Sequence, residues 1–159
     1  MTWTIEGRTV LITGGNSGIG LATATALAAE GAKVTITTRD PSKGESAGSI
    51  IEEKTGASVE VAALDLADLE SIHRFAAEFT AIHDDLGVLI NNAGAVIGSR
   101  QTTNDGFELT FGTNHLGPFL LTNLLTDLLI ASAPSRIVNV GSSGHGYATD
   151  GIVFDDLMW

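Results

Sequence analysis

The chain has 159 residues, 43% of them hydrophobic and 17% charged, which fits one folded domain and excludes intrinsic disorder. Eight Lys+Arg against 19 Asp+Glu give a net charge of −11, which argues against nucleic acid or an anionic membrane surface as a partner. There is no cysteine, so disulfides, thiolate metal sites and a cysteine nucleophile are excluded.

Apolar runs of strand length alternate with longer helical patterns. Thr9 to Thr13 reads as a buried strand, and Ile19 to Glu30 as an Ala-rich helix stopped by Gly31. Lys33 to Thr38 is β-branched and strand-like. Ser42 to Thr55 is helical, with Pro41 just before it and Gly56 just after. Ser58 to Leu64 reads as a third strand and Asp68 to His83 as a helix with Asp68 as N-cap. Val88 to Asn91 is the fourth strand. Phe107 to Ala131 reads as one long helix bent near Pro118, where proline removes a hydrogen bond, and Arg136 to Val140 is the fifth strand.

Five strands separated by helices form successive βαβ units, which right-handed crossovers lay into a parallel sheet covered on both faces. The expected fold is therefore α/β, a doubly wound Rossmann-like sheet in the order 3-2-1-4-5. Residues 1–159 read as a single domain, with 141–159 as a loop and tail beside the active site. The N-terminus shows no signal peptide, and polar residues and Pro118 interrupt the stretch from Leu116 to Ala131. A soluble cytoplasmic protein without a membrane partner is expected. His73, His83, His115 and His145 lack metal-ligand spacing, so no metal is expected. His73 and His83 read as helix-surface residues and His145 as a candidate for the cleft mouth.

Two motifs carry chemistry. Thr13-Gly14-Gly15-Asn16-Ser17-Gly18-Ile19-Gly20 follows the first strand and opens the first helix. Gly14 allows a tight exit from the strand, Gly18 a close approach of backbone to a pyrophosphate, and Gly20 close helix–strand packing. The helix N-terminus adds N–H groups and a positive dipole. At the end of the second strand, where an acidic residue would bind a ribose 2′-hydroxyl, the chain reads Thr37-Thr38-Arg39. The planar fork of Arg39 suits a 2′-phosphate, which favours NADP(H) over NAD(H), although Asp40 stands beside it. Asp65-Leu66 follows the third strand, where Asp65 either accepts a hydrogen bond from adenine or forms a turn. Asn91-Asn92-Ala93-Gly94 follows the fourth, with small residues against which a ribose can lie and amides that can tie strands together.

Together these motifs make the chain similar, from about Gly7 onward, to the N-terminal part of the short-chain dehydrogenase/reductase family, and most similar to its retinol-dehydrogenase-like members. The resemblance implies an NADP(H)-dependent oxidoreductase acting on a small carbonyl or secondary alcohol. The cofactor would be held by Gly14, Asn16, Ser17, Gly18, Ile19, Gly20, Arg39, Asp65, Leu66, Asn92, Ala93 and Gly94. It implies that Asn114, in Thr113-Asn114-His115-Leu116-Gly117, is the active-site Asn that holds a proton-relay water. Ser142 would orient a substrate carbonyl, favoured over Ser143 by its spacing from Val140. The family's tyrosine and the lysine four residues later have no counterpart, since Tyr147 is followed at that distance by Gly151. The chain is therefore expected to be C-terminally truncated and inactive alone, with an open sheet edge that drives self-association. The alternative is a noncatalytic NADP(H)-binding or subunit-pairing module. The leucines at 120, 121, 124, 125, 128 and 129 read first as core, and by resemblance as half of a subunit interface.

Overall fold

Five short strands carry the hydrophobic pattern that organises the molecule, whose computed structural model describes residues 3–147 and 151–157. In chain order the elements are β1 (Thr9–Thr13), α1 (Gly18–Ala29), β2 (Lys33–Thr38), α2 (Pro41–Thr55), β3 (Glu60–Ala63), α3 (Leu69–Ile82) and β4 (Val88–Asn91). They are followed by α4 (Leu109–Phe111), a π turn (Gly112–Leu116), α5 (Gly117–Leu124), α6 (Thr126–Ala131), β5 (Arg136–Asn139) and a 3₁₀ turn (Ser143–Tyr147). The strands form one parallel sheet in the order β3-β2-β1-β4-β5, as the βαβ reading expects.

Side chains alternate across each strand, so the sheet feeds two cores. Val10 and Ile12 of β1 join Val34, Ile36, Val88 and Ile90 beneath α1 and α2. Leu11 joins Leu89 on the other face, beneath Ile72, Phe75 and Phe79 of α3 and Leu121, Leu125 and Leu129 of the α5–α6 stretch. Leu120 and Leu128 pack against that second core, while Leu124 remains partly exposed, so core packing accounts for most of the leucine stripe. Alanines 24 and 28 are buried on α1 and Ala47 on α2, which lets both helices lie close to the sheet.

Two expectations need correction. The helix expected from Phe107 to Ala131 is divided. Glu108 starts α4, the backbone widens into a π turn over Gly112–Leu116, and a second break falls at Leu125 (φ −97°, ψ 1°). The first irregularity lies beside Pro118, as expected: the π turn ends two residues before it, within a backbone that stays helical through Leu116 and Gly117. The open edge expected at the fifth strand is present: β1 and β4 are fully buried, whereas every residue of β5 is exposed; β3 is half covered and shorter than expected. Finally, His83 is not a surface residue. It ends α3, half-buried, with its ring 4.2 Å from that of Phe79 and its Nε2 2.9 Å from Glu60 Oε2. His73 is exposed as expected, and the side chains of His145 and Tyr147 lie outside the described residues. Among the described residues no helix is long and apolar enough to cross a membrane.

Gly117 fixes how α5 meets the rest of the fold. A Cβ there would collide with the carbonyl oxygen of Leu66 in the β3–α3 loop. Gly117→Ala is expected to cost about 1–3 kcal/mol by overpacking. Gly48→Ala, whose Cβ would meet Val61 at 3.5 Å, is expected to gain about 0.5–1 kcal/mol from helix propensity. Urea denaturation of the two variants checks both signs.

Candidate functional site

All five strands point their C-terminal ends to one edge. From β1 the sheet extends one way through β2 and the other through β4, so a crevice opens where the loops after β1 and β4 diverge. A cleft of about 690 Å³ occupies it. Gly14, Asn16, Ser17, Gly18, Ile19 and Gly20 reach it from the β1–α1 turn, Arg39 from β2, Asp65 and Leu66 from β3, and Asn92, Ala93 and Gly94 from β4. Each residue expected to hold a cofactor thus lines one cleft, together with Thr37, Asp40, Lys43 and Thr113, which the motifs did not single out.

Hydrogen bonds rooted on Thr13 and Asn92 fix the cleft's floor. Thr13 Oγ1 accepts from the backbone N–H of Asn92 (3.0 Å) and of Ala93 (3.0 Å), and donates to Ile90 O (3.4 Å). The Asn92 amide donates back to Thr13 O (2.8 Å) and Gly14 O (3.2 Å). Gly20 is required where this knot meets α1, because a Cβ there would strike Gly14 O and the Asn92 amide.

The N-terminus of α1 differs from those of its neighbours. Asp40 caps α2 by accepting from Ser42 N and Lys43 N, and Asp68 caps α3 by accepting from Glu70 N and Ser71 N. Ser17 caps α1 with no side-chain bond, and no acidic residue lies in the first turn. Gly18 has φ 52°, and a Cβ there would meet nothing within 4 Å. The helix therefore presents bare N–H groups and a positive dipole end to the cleft, an arrangement suited to the phosphates of a dinucleotide.

Asp65 settles part of its own ambiguity. Its Oδ1 accepts from Ala67 N (2.9 Å), so it forms a turn, and the residue still lines the cleft. Arg39 is exposed on the cleft and makes none of the hydrogen bonds or ion pairs found among the described residues.

A second cleft of about 750 Å³ adjoins the first through Asn92, Ala93, Gly94 and Ala95, and it brings Asn114 and Ser142 together. Asn114 sits in the π turn with its amide committed at both ends. Oδ1 accepts from Ala95 N (2.8 Å) and Nδ2 donates to Ala95 O (2.8 Å). Ser142 Oγ accepts from Gly144 N (3.0 Å). Asn91 ties β4 to β5 and to α5, donating to Asn139 Oδ1 (2.8 Å) and Thr122 Oγ1 (3.1 Å), while its own Oδ1 is buried without a partner. His115 is exposed and stacks on Phe111, with ring centroids 5.2 Å apart. Among the described residues no group of three or more His, Cys, Asp or Glu could hold a metal.

Glu108 holds the approach to Asn114. Its carboxylate accepts from Thr110 N (3.0 Å) and Phe111 N (2.7 Å) at the start of α4. Those two backbone bonds keep its carboxyl below the usual carboxylate range, against the opposing effect of burial and with a smaller contribution from Arg100. The Thr13 hydroxyl had a signal in the sequence, since it opens the Gly-rich motif at a strand end. Lys43 had only its position, four residues after Arg39.

Comparisons with known proteins converge. The family model described as short chain dehydrogenase matches residues 8–152. Retinol dehydrogenase 13 of Homo sapiens is 49% identical over 157 residues, a match covering 98% of this chain and 47% of that protein. Retinol dehydrogenase 11 of Mus musculus is 51% identical over 142 residues, covering 89% of this chain and 45% of that protein. Among solved structures, a metagenomic short-chain oxidoreductase in complex with NADP superposes with a TM-score of 0.77 at 30% identity, covering 87% of this chain and 63% of that one. The chain spans about half the length of the curated relatives it matches.

Two predictions follow from the geometry. Thr13→Val removes the acceptor of the Ala93 N–H, while the Asn92 N–H keeps its second acceptor Ile90 O (3.0 Å), and should cost about 1–3 kcal/mol in urea denaturation. Thr13→Ser should retain most of that stability. For Glu108, a folded-state pKa below the unfolded one means a contribution that is present at neutral pH. That contribution is lost as pH falls from the ordinary value of 4.5 through the lower folded value. Glu108→Gln should therefore flatten the acid limb of a stability–pH profile.

Proposed function

This chain belongs to the short chain dehydrogenase family, and from that premise we propose that it forms the nucleotide-binding part of an NADP(H)-dependent oxidoreductase acting on a small carbonyl or secondary alcohol. The observation that carries the reading is the uncapped N-terminus of α1, opening with Gly18 into the cleft between the β1 and β4 loops. That end of the helix, with Asn16 and Ser17, would hold the pyrophosphate, and Ala93 and Gly94 offer backbone against which a ribose can lie. Arg39 favours the cofactor bearing a 2′-phosphate, because its fork is unpaired and faces the cleft beside a strand end that carries no acidic residue.

Bound NADP(H) supplies the hydride. The protein's part lies in the second cleft, where Ser142 would orient the substrate oxygen. Asn114 has both ends of its amide on Ala95, so the group it can offer a relay water is its backbone carbonyl, in a π turn of the kind that often marks functional positions. The chain contains no tyrosine followed four residues later by lysine. Loss of a general acid costs on the order of 10²–10⁴ in rate, so turnover by the 159-residue chain is expected to be low. Self-association belongs to the same reading, supported by Ile137 (47% exposed), Val138 and Val140 along the outer strand β5.

Binding is therefore the decisive readout. Titrations should show NADPH binding tighter than NADH, and Gly20→Val should remove both by displacing the Asn92 knot. Equal affinities for the two cofactors would strip Arg39 of its role, and absence of binding to either would overturn the reading. In sedimentation the chain should run as dimers or larger species; a monodisperse monomer would remove the self-association.

A further inference from the structure

Two cations face the adenosine end of the cleft, and only Arg39 follows from the motif. Lys43 stands in the first turn of α2, lines the same cleft as Arg39, and has a side chain 69% exposed. Its ion pair is a long one, Nζ to Asp40 Oδ2 at 3.8 Å, and at such exposure it holds the ammonium only weakly. Asp40 looks in the sequence like a competitor that would repel a phosphate or bind a ribose hydroxyl. In the structure its Oδ1 is engaged by Ser42 N (3.1 Å), Ser42 Oγ (2.8 Å) and Lys43 N (3.5 Å), which turns the carboxylate into the cap of α2. One oxygen of the nearest acidic group is thus committed to the helix and the other faces Lys43, while Arg39 and Lys43 supply two donors that cannot accept hydrogen bonds at the mouth. In a chain of net charge −11, a dianion at this place needs more than one local cation.

We propose that Lys43 is a second anchor for the 2′-phosphate of NADP(H), sharing with Arg39 the discrimination between phosphate and hydroxyl, while Asp40 is kept from the ribose by capping α2. The proposal rests on the NADP(H) preference stated above. The division of labour follows from chemistry: Arg39 provides a planar fork for two oxygens, and Lys43 a mobile point charge for the third.

The test measures binding of NADPH, NADH, adenosine 2′,5′-bisphosphate and adenosine 5′-monophosphate to the 159-residue chain and to Lys43→Met and Lys43→Arg. Lys43→Met should weaken NADPH and the bisphosphate about tenfold and leave NADH and the monophosphate within about twofold. Lys43→Arg should restore most of the loss, and raising the salt concentration should narrow the gap between wild type and Lys43→Met, because the contact is exposed. Thermal melts of the variants should match wild type, since the side chain is largely exposed and its ion pair with Asp40 is long. A wild type that prefers NADPH with a Lys43→Met variant that binds it equally well overturns the role of Lys43 and leaves Arg39 alone. Equal losses for NADPH and NADH also overturn it, as they would mean a contact elsewhere on the cofactor. A wild type that does not distinguish the two cofactors, or binds neither, overturns the underlying preference and this proposal together.

Discussion

Everything at the functional edge is referred to one hydroxyl. Thr13 ends β1 and accepts two N–H groups from the chain leaving β4, so the two loops that diverge across the crevice share a fixed floor. Asn92 reciprocates by donating to the carbonyls of Thr13 and Gly14. The bonds are part-buried and join segments about 80 residues apart in the chain. Gly20 passes directly beneath this knot, which ties the position of the α1 N-terminus to the same few atoms. The alignment of the β1–α1 turn with the strand end of β4 is therefore set by packing and hydrogen bonding within the protein.

The second cleft hangs from this floor through Ala95. Asn114 grips both backbone groups of that residue, and the π turn that carries Asn114 is anchored upstream by Glu108 and downstream by Gly117 against Leu66. A continuous chain of contacts thus links the β3–α3 loop, the irregular helix and the β4 loop. Such a helix irregularity stores little strain when flanked by satisfied caps. It releases one backbone carbonyl from the α pattern at the place where a polar group is useful.

Much of the sheet was legible in the sequence because strand-length apolar runs and glycine-marked turns obey local rules. The order 3-2-1-4-5 and the gathering of Gly18, Arg39, Asp65 and Asn92 on one cleft agree with right-handed crossovers combined with the Gly-rich turn after the first strand. Two features were not legible, each for a physical reason. The π turn over Gly112–Leu116 keeps the apolar spacing of an ordinary helix, so periodicity passes over it. The part played by Asp40 depends on where α2 begins. Pro41 opens that helix, which makes Asp40 its N-cap rather than a loop residue.

The bare end of α1 has a thermodynamic consequence. Its neighbours begin with an aspartate that closes the first turn from within the chain, while α1 leaves that closure to whatever enters the cleft. A dinucleotide phosphate would then be the cap residue that the sequence omits, joined by affinity where α2 and α3 are joined covalently. Folding of the first βαβ unit and occupancy of the cleft become linked equilibria, so that stability rises with ligand concentration as RT ln(1 + [L]/Kd).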